Sequence, residues 1–576
     1  MQQDENTIAL VHEIASTICD DFSEYNSEFR LITRRARSRF ESRDWKGSQR
    51  DIVERIELYD LTVNRTAVEL KHRLGHLCKD KQLWSIIKSS FSDLITAYAD
   101  SEFYKTFFSS ISRNIFDTVG VDPGVEFLAS DVEPIPEQPK PIHLETYIYR
   151  NSHQDLFREI LSDFSFSVGY KNIENDIAFI YKEVNALRAR ENIDTRFERI
   201  EIIRPVFHQL TRAYLVGRLL GGKTTSPFIL SLKNTEDGIA VDAVIMSQNA
   251  AHILFSFTRS YFHADIENVS DAVVFLKSIM PDKPSGELYT VLGRAKQGKT
   301  IRYRNLLKHL DNSTDCFVHA PGDKGLVMVV FALPSYDIVI KIIRDRFAYP
   351  KTTSRQDVLN KYKLVFEHDR AGRLIDAQEF RYLSFDKSRF SEPLLEELLT
   401  DTADTTKLDG DKIIFNHCYI ERRLTPLNIY LQEANSSDTH KIVYDYGQAI
   451  RDLALSNIFP GDLLIKNFGV TRYGRVIFYD YDELCMVTDC NFREMPPPQT
   501  LEDEMRSESW FYVADNDVFP EQFISFLGFG ADLKKFFLKW HSDILTARYW
   551  RDLQTQHRMG RVLDVLPYHR NPIENE

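Results

Sequence analysis

An aspartate at 462, an asparagine at 467 and a second aspartate at 480, the last closing the apolar run Val476–Tyr479, have the spacing of polar groups in a phosphoryl-transfer site. In such a spacing the first carboxylate orients or deprotonates an attacking hydroxyl. The amide and the second carboxylate hold the Mg²⁺ that neutralises nucleotide phosphates. Asp482, two residues further on, is a possible additional acid. This chemistry asks for little covalent work from a protein. It needs carboxylates and an amide at fixed separations, which short spacings on rigid elements provide.

A second stretch competes for the same role. Gly293-Arg294-Ala295-Lys296-Gln297-Gly298-Lys299-Thr300 fits the P-loop pattern letter for letter. There, backbone N–H groups would cradle phosphates, Lys299 would reach the β and γ groups, and Thr300 would bind Mg²⁺. A P-loop NTPase built on Gly293–Thr300 is therefore an alternative function. Its context is poor, because such a loop must leave a buried parallel strand and open a helix. Ser285–Leu292 reads as a weak strand among helical segments, and buried strands do not alternate with helices downstream. Arg294, Lys296 and Lys299 are expected on a solvated helix end or loop.

The elements around Asp462 are better ordered. From residue 316 the chain offers a Gly-containing loop (Ala320, Pro321, Gly322, Asp323, Lys324, Gly325, Leu326) and an apolar run, Gly325–Leu333. A turn at 334–337 and a β-branched run, Ile338–Ile343, complete a hairpin. Lys341 lies inside the second run, where a buried lysine needs a partner; an edge-strand lysine snorkelling to water is the bland reading. Glu367 is one candidate partner. Helical sequence follows, then a strand-to-loop segment His417–Arg423, a helix around Tyr446–Ser456, the Asp462/Asn467 loop and Asp480. This is the order of parts in a protein kinase. In that order Gly322 and Gly325 would let amides approach phosphates, and Lys341 would pair with the α/β-phosphates. Asn467 and Asp480 would hold metal, and Asp462 would serve the hydroxyl.

The rest of the chain frames this domain. Residues 1–115 carry apolar residues at helical intervals (Ile8, Val11, Ala15, Ile18, Phe22; Trp84, Ile87, Phe91, Leu94, Ile95). The proline-rich stretch 131–141 reads as a linker or surface strap. A helical pattern covers about 150–210, strands follow at Ala213–Leu220, Phe228–Leu232 and Ile239–Ile245, and 249–312 returns to helix. The fold class is α+β. A mainly helical domain with a small sheet near 213–246 spans 1–315, and a protein-kinase-like bilobal domain spans 316–576, with its N-lobe at about 316–420 and C-lobe at about 421–576.

At 576 residues and 43% apolar the chain can build more than one core. A net charge of −13 argues against nucleic acid as a partner, since duplex binding is led by Lys and Arg. The basic run Arg34, Arg35, Arg37 and Arg39 reads as a helix face with acidic partners in the same chain. Six cysteines are scattered without a CxxC pair, which suits a reducing compartment. The first residues make a poor signal peptide, and no apolar run approaches the roughly 20 residues that span a bilayer. No membrane partner and a cytoplasmic location are expected.

Longer matches point to one family. Ala320–Met328, Glu367–Arg373, Tyr419–Arg423 with Pro426-Leu427-Asn428, Asn457–Asp462, Lys466–Thr471, Phe478–Glu483 and Pro496-Pro497-Pro498 together resemble the isocitrate dehydrogenase kinase/phosphatases. Echoes at Arg259–Phe262 and Glu287-Leu288-Tyr289 extend the resemblance over most of the chain. It implies a regulatory domain ahead of the kinase-like domain. It also implies a bifunctional serine kinase and phosphatase that uses ATP and Mg (Mn possible) to inactivate and reactivate isocitrate dehydrogenase, its protein partner, steering flux between the citric acid cycle and the glyoxylate bypass. AMP and ADP are implied as effectors. In the family, the segment 320–326 and Lys341 bind ATP, and Asp376 matches the carboxylate tied to the phosphatase activity. The absence of GxGxxG and of His-Arg before Asp462, and Asp-Tyr-Asp in place of Asp-Phe-Gly, are oddities this family shares. Asp323 would oppose the triphosphate unless it points outward. A catalytically inactive, pseudokinase-like regulatory binding protein is the remaining alternative; retention of Lys341, Asp462, Asn467 and Asp480 together argues against it.

Overall fold

The computed structural model describes residues 2–128 without 97 and 99, 142–566 without 151, 192–197, 223, 257–261, 350, 352, 498–499 and 501–509, and residue 568. The expected strap at 131–141, the echo at 259–261 and Pro498 fall outside the described residues, as does the side chain of Glu367. Two compact units emerge. One comprises Met1–Asp315, Arg381–Lys387 and Leu408–Asn416; the other comprises Cys316–Phe380, Ser388–Lys407 and His417–Glu576.

The first unit begins with helices α1 (Gln2–Glu41), α2 (Trp45–Leu74), α3 (Lys81–Ile95) and α4 (Ser101–Phe116). Val11, Ile14, Ala15, Ile18, Phe22, Tyr25 and Phe29 recur every three or four residues and form the buried stripe of α1. Ile8, which continues the same period, is 68% exposed, so the stripe starts one turn later than the spacing suggests. Each fully buried side chain of this size contributes about 1.5–3 kcal/mol. The opposite face of α1 carries the basic run, and each arginine has an acidic partner: Arg34 with Asp265, Arg35 with Glu54, Arg37 with Glu41, and Arg39 with Asp51.

A six-stranded antiparallel sheet follows, made of β1 (Leu144–Ile148), β2 (Arg199–Ile203), β3 (Phe207–Gln209), β4 (Arg212–Gly221), β5 (Thr224–Thr235) and β6 (Gly238–Ile245). Between β1 and β2 run α5 (His153–Asp163) and α6 (Ile173–Glu191). The helical reading of 150–210 therefore fails at its end: Arg199–Ile203 alternates Ile and charge, and it pairs with β1 and β4.

Helices α7 (Gln248–Leu254), α8 (Val269–Ile279), α9 (Ser285–Val291) and α10 (Ala295–Asp311) complete the unit. The P-loop lettering sits at the α9–α10 junction. Ser285–Val291 is helix, not strand, and Gly298 lies within α10 where a Cβ would meet Thr290 Oγ1 at 2.1 Å and Gly286 O at 2.3 Å. Its glycine serves helix contact. Arg294, expected in solvent, is 2% exposed; it lies over the rings of Phe29 and Phe103 and donates to Asn26 Oδ1 at 2.7 Å. Lys296 pairs with Asp60 at 2.7 Å.

The second unit opens with β7 (Val318–His319), β8 (Met328–Ala332), β9 (Ile338–Ile343), α11 (Arg355–His368) and β10 (Gln378–Phe380). The chain then visits the first unit twice, around α12 (Glu392–Asp401). Those visits belong to a small sheet of β11 (Leu383–Asp386), β12 (Thr406–Asp409) and β13 (Lys412–Phe415), in the order β11-β13-β12. Within the first unit the Gly120 N–H donates to Tyr382 O at 2.7 Å. Strand β14 (Cys418–Arg422) returns to give a five-stranded antiparallel sheet, order β10-β14-β9-β8-β7. Then come β15 (Thr425–Pro426), α13 (Leu427–Glu433), α14 (Ser436–Leu455), β16 (Ile458–Phe459), β17 (Phe468–Val470), β18 (Val476–Phe478) and β19 (Cys485–Met486). The helices Ala531–His541 and Ala547–Arg558 close the core. A sheet-rich half followed by a helix-rich half is the bilobal order expected. Among the described residues no helix is long and apolar enough to cross a membrane.

Candidate active site

Lys341 lies in the centre of the five-stranded sheet, opposite Tyr419 of β14 and Val330 of β8, so it is not an edge-strand lysine. Only 7% of it is exposed. Its Nζ is 2.8 Å from Glu421 Oε2 and donates to Tyr479 O at 2.9 Å. The acid partner is thus Glu421, a residue quoted in the sequence motif but given no role there. Register explains the pairing: Lys341 faces Tyr419, and Glu421 is two residues along β14 on the same face. Burial drives the Glu421 carboxyl above its ordinary value; Lys341 opposes this, and the charges of Asp376 and Asp480 add to it. Glu421 Oε1 is buried with no hydrogen-bond partner among the described residues.

The loop carrying Asp462 is set by its glycine. Gly461 has φ +80°, and a Cβ there would meet Glu483 O at 2.3 Å, so the loop backbone lies directly against the residue following Asp482. Asp462 Oδ1 accepts the Leu464 N–H at 2.9 Å, which fixes the carboxylate by an Asx turn. Beyond it, β17 and β18 form a hairpin with Phe468 opposite Phe478. That register places Asn467 against Tyr479, whose N–H donates to Asn467 O at 3.1 Å, and Asp480 follows at once. A spacing of thirteen positions in sequence becomes adjacency across a hairpin.

Asp480 and Asp482 are both pushed toward protonation. For Asp480 the main cause is burial, opposed by Lys341 and Lys351 and aided by the charge of Asp462. Asp482 is pushed up to about 7, first by burial and then by Asp480, against Lys351 and Lys341. Lys351 pairs with Glu483 at 2.5 Å and lies 3.8 Å from Asp482. Two partly buried carboxylates and an amide make an all-oxygen donor set of the kind a hard divalent cation takes, with its remaining positions left to phosphates and water. Among the described residues no group of three or more His, Cys, Asp or Glu side chains could hold a metal alone. The donor set fits a metal carried in with a nucleotide.

The segment 320–326 bridges β7 and β8, and the Ala320 N–H donates to Val330 O at 3.1 Å. Gly322 has φ +119°, and a Cβ on Gly325 would meet Met328 O at 2.7 Å, so both glycines are required by the backbone path. Asp323 is 72% exposed and accepts from Lys466 at 3.2 Å, so its charge points outward and is matched by a cation of the Asp462 loop. Lys324 pairs with Glu397 at 2.9 Å, and Arg344 pairs with Glu397 at 2.6 Å while donating to Gly325 O at 3.0 Å. Pro321 and Leu326 complete the loop, with Leu326 41% exposed.

Asp376 arrives from the other side. The segment before β10 runs alongside β18, with Leu374 bridged to Phe478 in parallel and the Ile375 N–H donating to Phe478 O at 3.2 Å. Asp376 follows at once, and its charge acts on Glu421. Its Oδ2 accepts from Gln378 Nε2 at 2.9 Å. The fully buried Arg373 secures this segment, donating to Asp445 at 2.8 Å and to Asp452 at 2.7 Å. Lys341, Asp376 and Asp480 act electrostatically on Glu421, Asp462 acts on Asp480 and Asp480 on Asp482, while Asn467 joins this group through its backbone bond to Tyr479. The lettering at Gly293–Thr300 belongs to the other unit.

The chain matches two family profiles. Residues 315–570 match the kinase domain of isocitrate dehydrogenase kinase/phosphatase (AceK), and residues 15–314 match its regulatory domain. It is 44% identical over 554 residues to the isocitrate dehydrogenase kinase/phosphatase of Anaeromyxobacter sp. (strain Fw109-5), covering 96% of both chains. The enzyme of the same name from Xanthomonas euvesicatoria pv. vesicatoria (strain 85-10) is 44% identical over 561 residues, again covering 96% of both. That of Anaeromyxobacter dehalogenans (strain 2CP-C) is 43% identical over 578 residues, covering 97% of both.

Proposed function

The chain belongs to the isocitrate dehydrogenase kinase/phosphatase family, and from that premise we propose that one site around Lys341, Asp462 and Asp480 both phosphorylates and dephosphorylates a serine of isocitrate dehydrogenase. It is a bifunctional enzyme, and its regulation of isocitrate dehydrogenase would set flux between the citric acid cycle and the glyoxylate bypass. The observation that carries the single-site reading is the hydrogen bond from Lys341 Nζ to Tyr479 O at 2.9 Å. It joins the lysine of the sheet to the residue preceding Asp480, so nucleotide-holding and metal-holding groups share one centre.

In the forward reaction the amides of 320–326 and Lys341 hold the ATP phosphates, while Glu421 keeps the ammonium aimed at them. Asp462 orients the serine hydroxyl and takes its proton. Asn467 and Asp480, with Asp482, would hold the metal; Mg²⁺, or Mn²⁺ in its place, would supply neutralisation of the phosphate charge. In the reverse direction Asp376 positions the water that completes phosphate removal, with ADP retained in the same pocket. AMP and ADP act as effectors, and a cytoplasmic setting belongs to this reading, since the six cysteines are all thiols.

The test is transfer of labelled phosphate from ATP to purified isocitrate dehydrogenase, and its release from the labelled product, with and without AMP. Asp376→Ala should lower phosphatase activity far more than kinase activity. Equal loss of both would remove the division of labour between Asp376 and Asp462.

A further inference from the structure

Two cysteines read as scattered in the sequence are neighbours in space. Cys485 Sγ lies 3.5 Å from Cys490 Sγ. Cys485 opens β19 half-buried, Cys490 is 7% exposed, and one 3₁₀ turn, Val487–Asp489, lies between them. Cys490 Sγ also lies 3.5 Å from Met486 O. The hydrogen bond from Cys490 favours the thiolate of Cys485 and holds back that of Cys490, with Lys361 nearby favouring both. One nucleophilic sulfur and one resolving sulfur within contact is the arrangement that dithiol oxidation needs.

The pair sits where the site is built. Cys485 is opposite Phe459 in the β16–β19 ladder, three residues before Asp462. Asn457 clamps the same turn: its O accepts the Val487 N–H at 3.0 Å and its Oδ1 accepts the Thr488 N–H at 3.1 Å. Gln554 holds the other side, donating to Val487 O and Cys490 O. Gly461 touches Glu483 O, two residues before Cys485. Drawing the sulfurs from contact to bond length, about 2.05 Å, pulls on a turn fastened to both the Asp462 loop and the Asp480–Asp482 segment.

We propose that Cys485 and Cys490 are a peroxide-sensitive dithiol whose reversible disulfide lowers both phosphoryl-transfer activities. The Cys485 thiolate attacks one oxygen of hydrogen peroxide, giving a sulfenic acid and hydroxide. The Cys490 sulfur then attacks the sulfenic sulfur, and hydroxide leaves and takes up the released proton as water. In sum, two thiols and one peroxide give one disulfide and two waters. An external dithiol such as dithiothreitol reverses it.

The experiment treats the reduced full-length protein with hydrogen peroxide, alkylates remaining thiols and examines the peptide containing 485–490 by mass spectrometry. That peptide should lose two hydrogens and escape alkylation at both cysteines, and dithiothreitol should restore it. Kinase and phosphatase activities should fall by about threefold or more and return on reduction, while Cys485→Ser and Cys490→Ser keep theirs through the same treatment. Alkylation of both cysteines after peroxide overturns the proposal. So does disulfide formation with unchanged activities, or an equal loss in the two serine variants. Only the activity arm rests on the proposed function; the peptide mass does not.

Discussion

Two regions of this molecule carry the lettering of a phosphate site, and they put their charges to opposite uses. At Gly293–Thr300 the glycines let helices approach, and Arg294 spends its charge on Phe29, Phe103 and Asn26. Around Lys341 the charges face other charges, its Nζ lying 2.8 Å from Glu421 Oε2. Among the described residues Glu421 Oε1 is buried without a hydrogen-bond partner, and the carboxyls of Asp480 and Asp482 are raised, first by burial. A phosphate site is recognised by buried charge held in readiness at a place a ligand can complete, and letters alone do not distinguish it from helix packing.

The largest effect should separate the two lysines. Lys341→Ala should lower kinase turnover by about a hundredfold, while Lys299→Ala stays within about twofold, measured as label transfer at saturating ATP. The reverse ranking would restore the P-loop. Next, Glu421→Gln removes the charge that aims Lys341 but keeps a hydrogen-bonding group. The KM for ATP should rise about tenfold with a smaller change in kcat; an unchanged KM would make Glu421 a packing residue.

Gly298→Ala sharpens the contrast from the other region. Its Cβ would fall within 2.3 Å of Thr290 Oγ1 and Gly286 O, so unfolding should become easier by about 1–3 kcal/mol in denaturant titrations. The KM for ATP should not move. A stable variant with weakened ATP binding would contradict the helix-contact role.

The smallest effect concerns pH. Burial alone would raise the Glu397 carboxyl, but hydrogen bonds from Lys324, Arg344 and His319 bring it down to about 2. A folded-state value below the ordinary one, about 4.3, means the contribution is complete above that pH. It is lost as pH falls from there toward 2. Thermal melts of the wild type should decline across this window more steeply than those of Glu397→Gln. Parallel declines would show the hub to be immaterial. The exposed Lys296–Asp60 pair is the control: Asp60→Asn should cost under about 0.5 kcal/mol.

Much of the site was legible because its parts are local. Asp462 and Asn467 share one loop, Asp480 ends the next hairpin, and Lys341 sits in a β-branched run whose strand character is plain. Glu421 was not legible as a partner, because its relation to Lys341 depends on which strand lies beside β9. The end of the helical reading near 199–209 failed for the same reason: those short strands exist through pairing with β1 and β4. Arg294 misled because a cation beside glycines looks solvent-bound until two aromatic rings close over it.

By itself the sequence determined the order of the parts, the family, and the residue types of the site, since these depend on local periodicity and on letters that recur at fixed offsets. Tertiary structure alone decided what those residues meet. The register of β14 on β9 gave Lys341 its acid, and the bridge of Leu374 to Phe478 carried the segment leading to Asp376 past the end of β18, where its charge acts on Glu421. A close helix crossing turned a phosphate motif into packing, and one turn brought two thiols five residues apart into contact. Side-chain chemistry is written along the chain, but burial and pairing, which set how strongly each group holds its charge, exist only between segments.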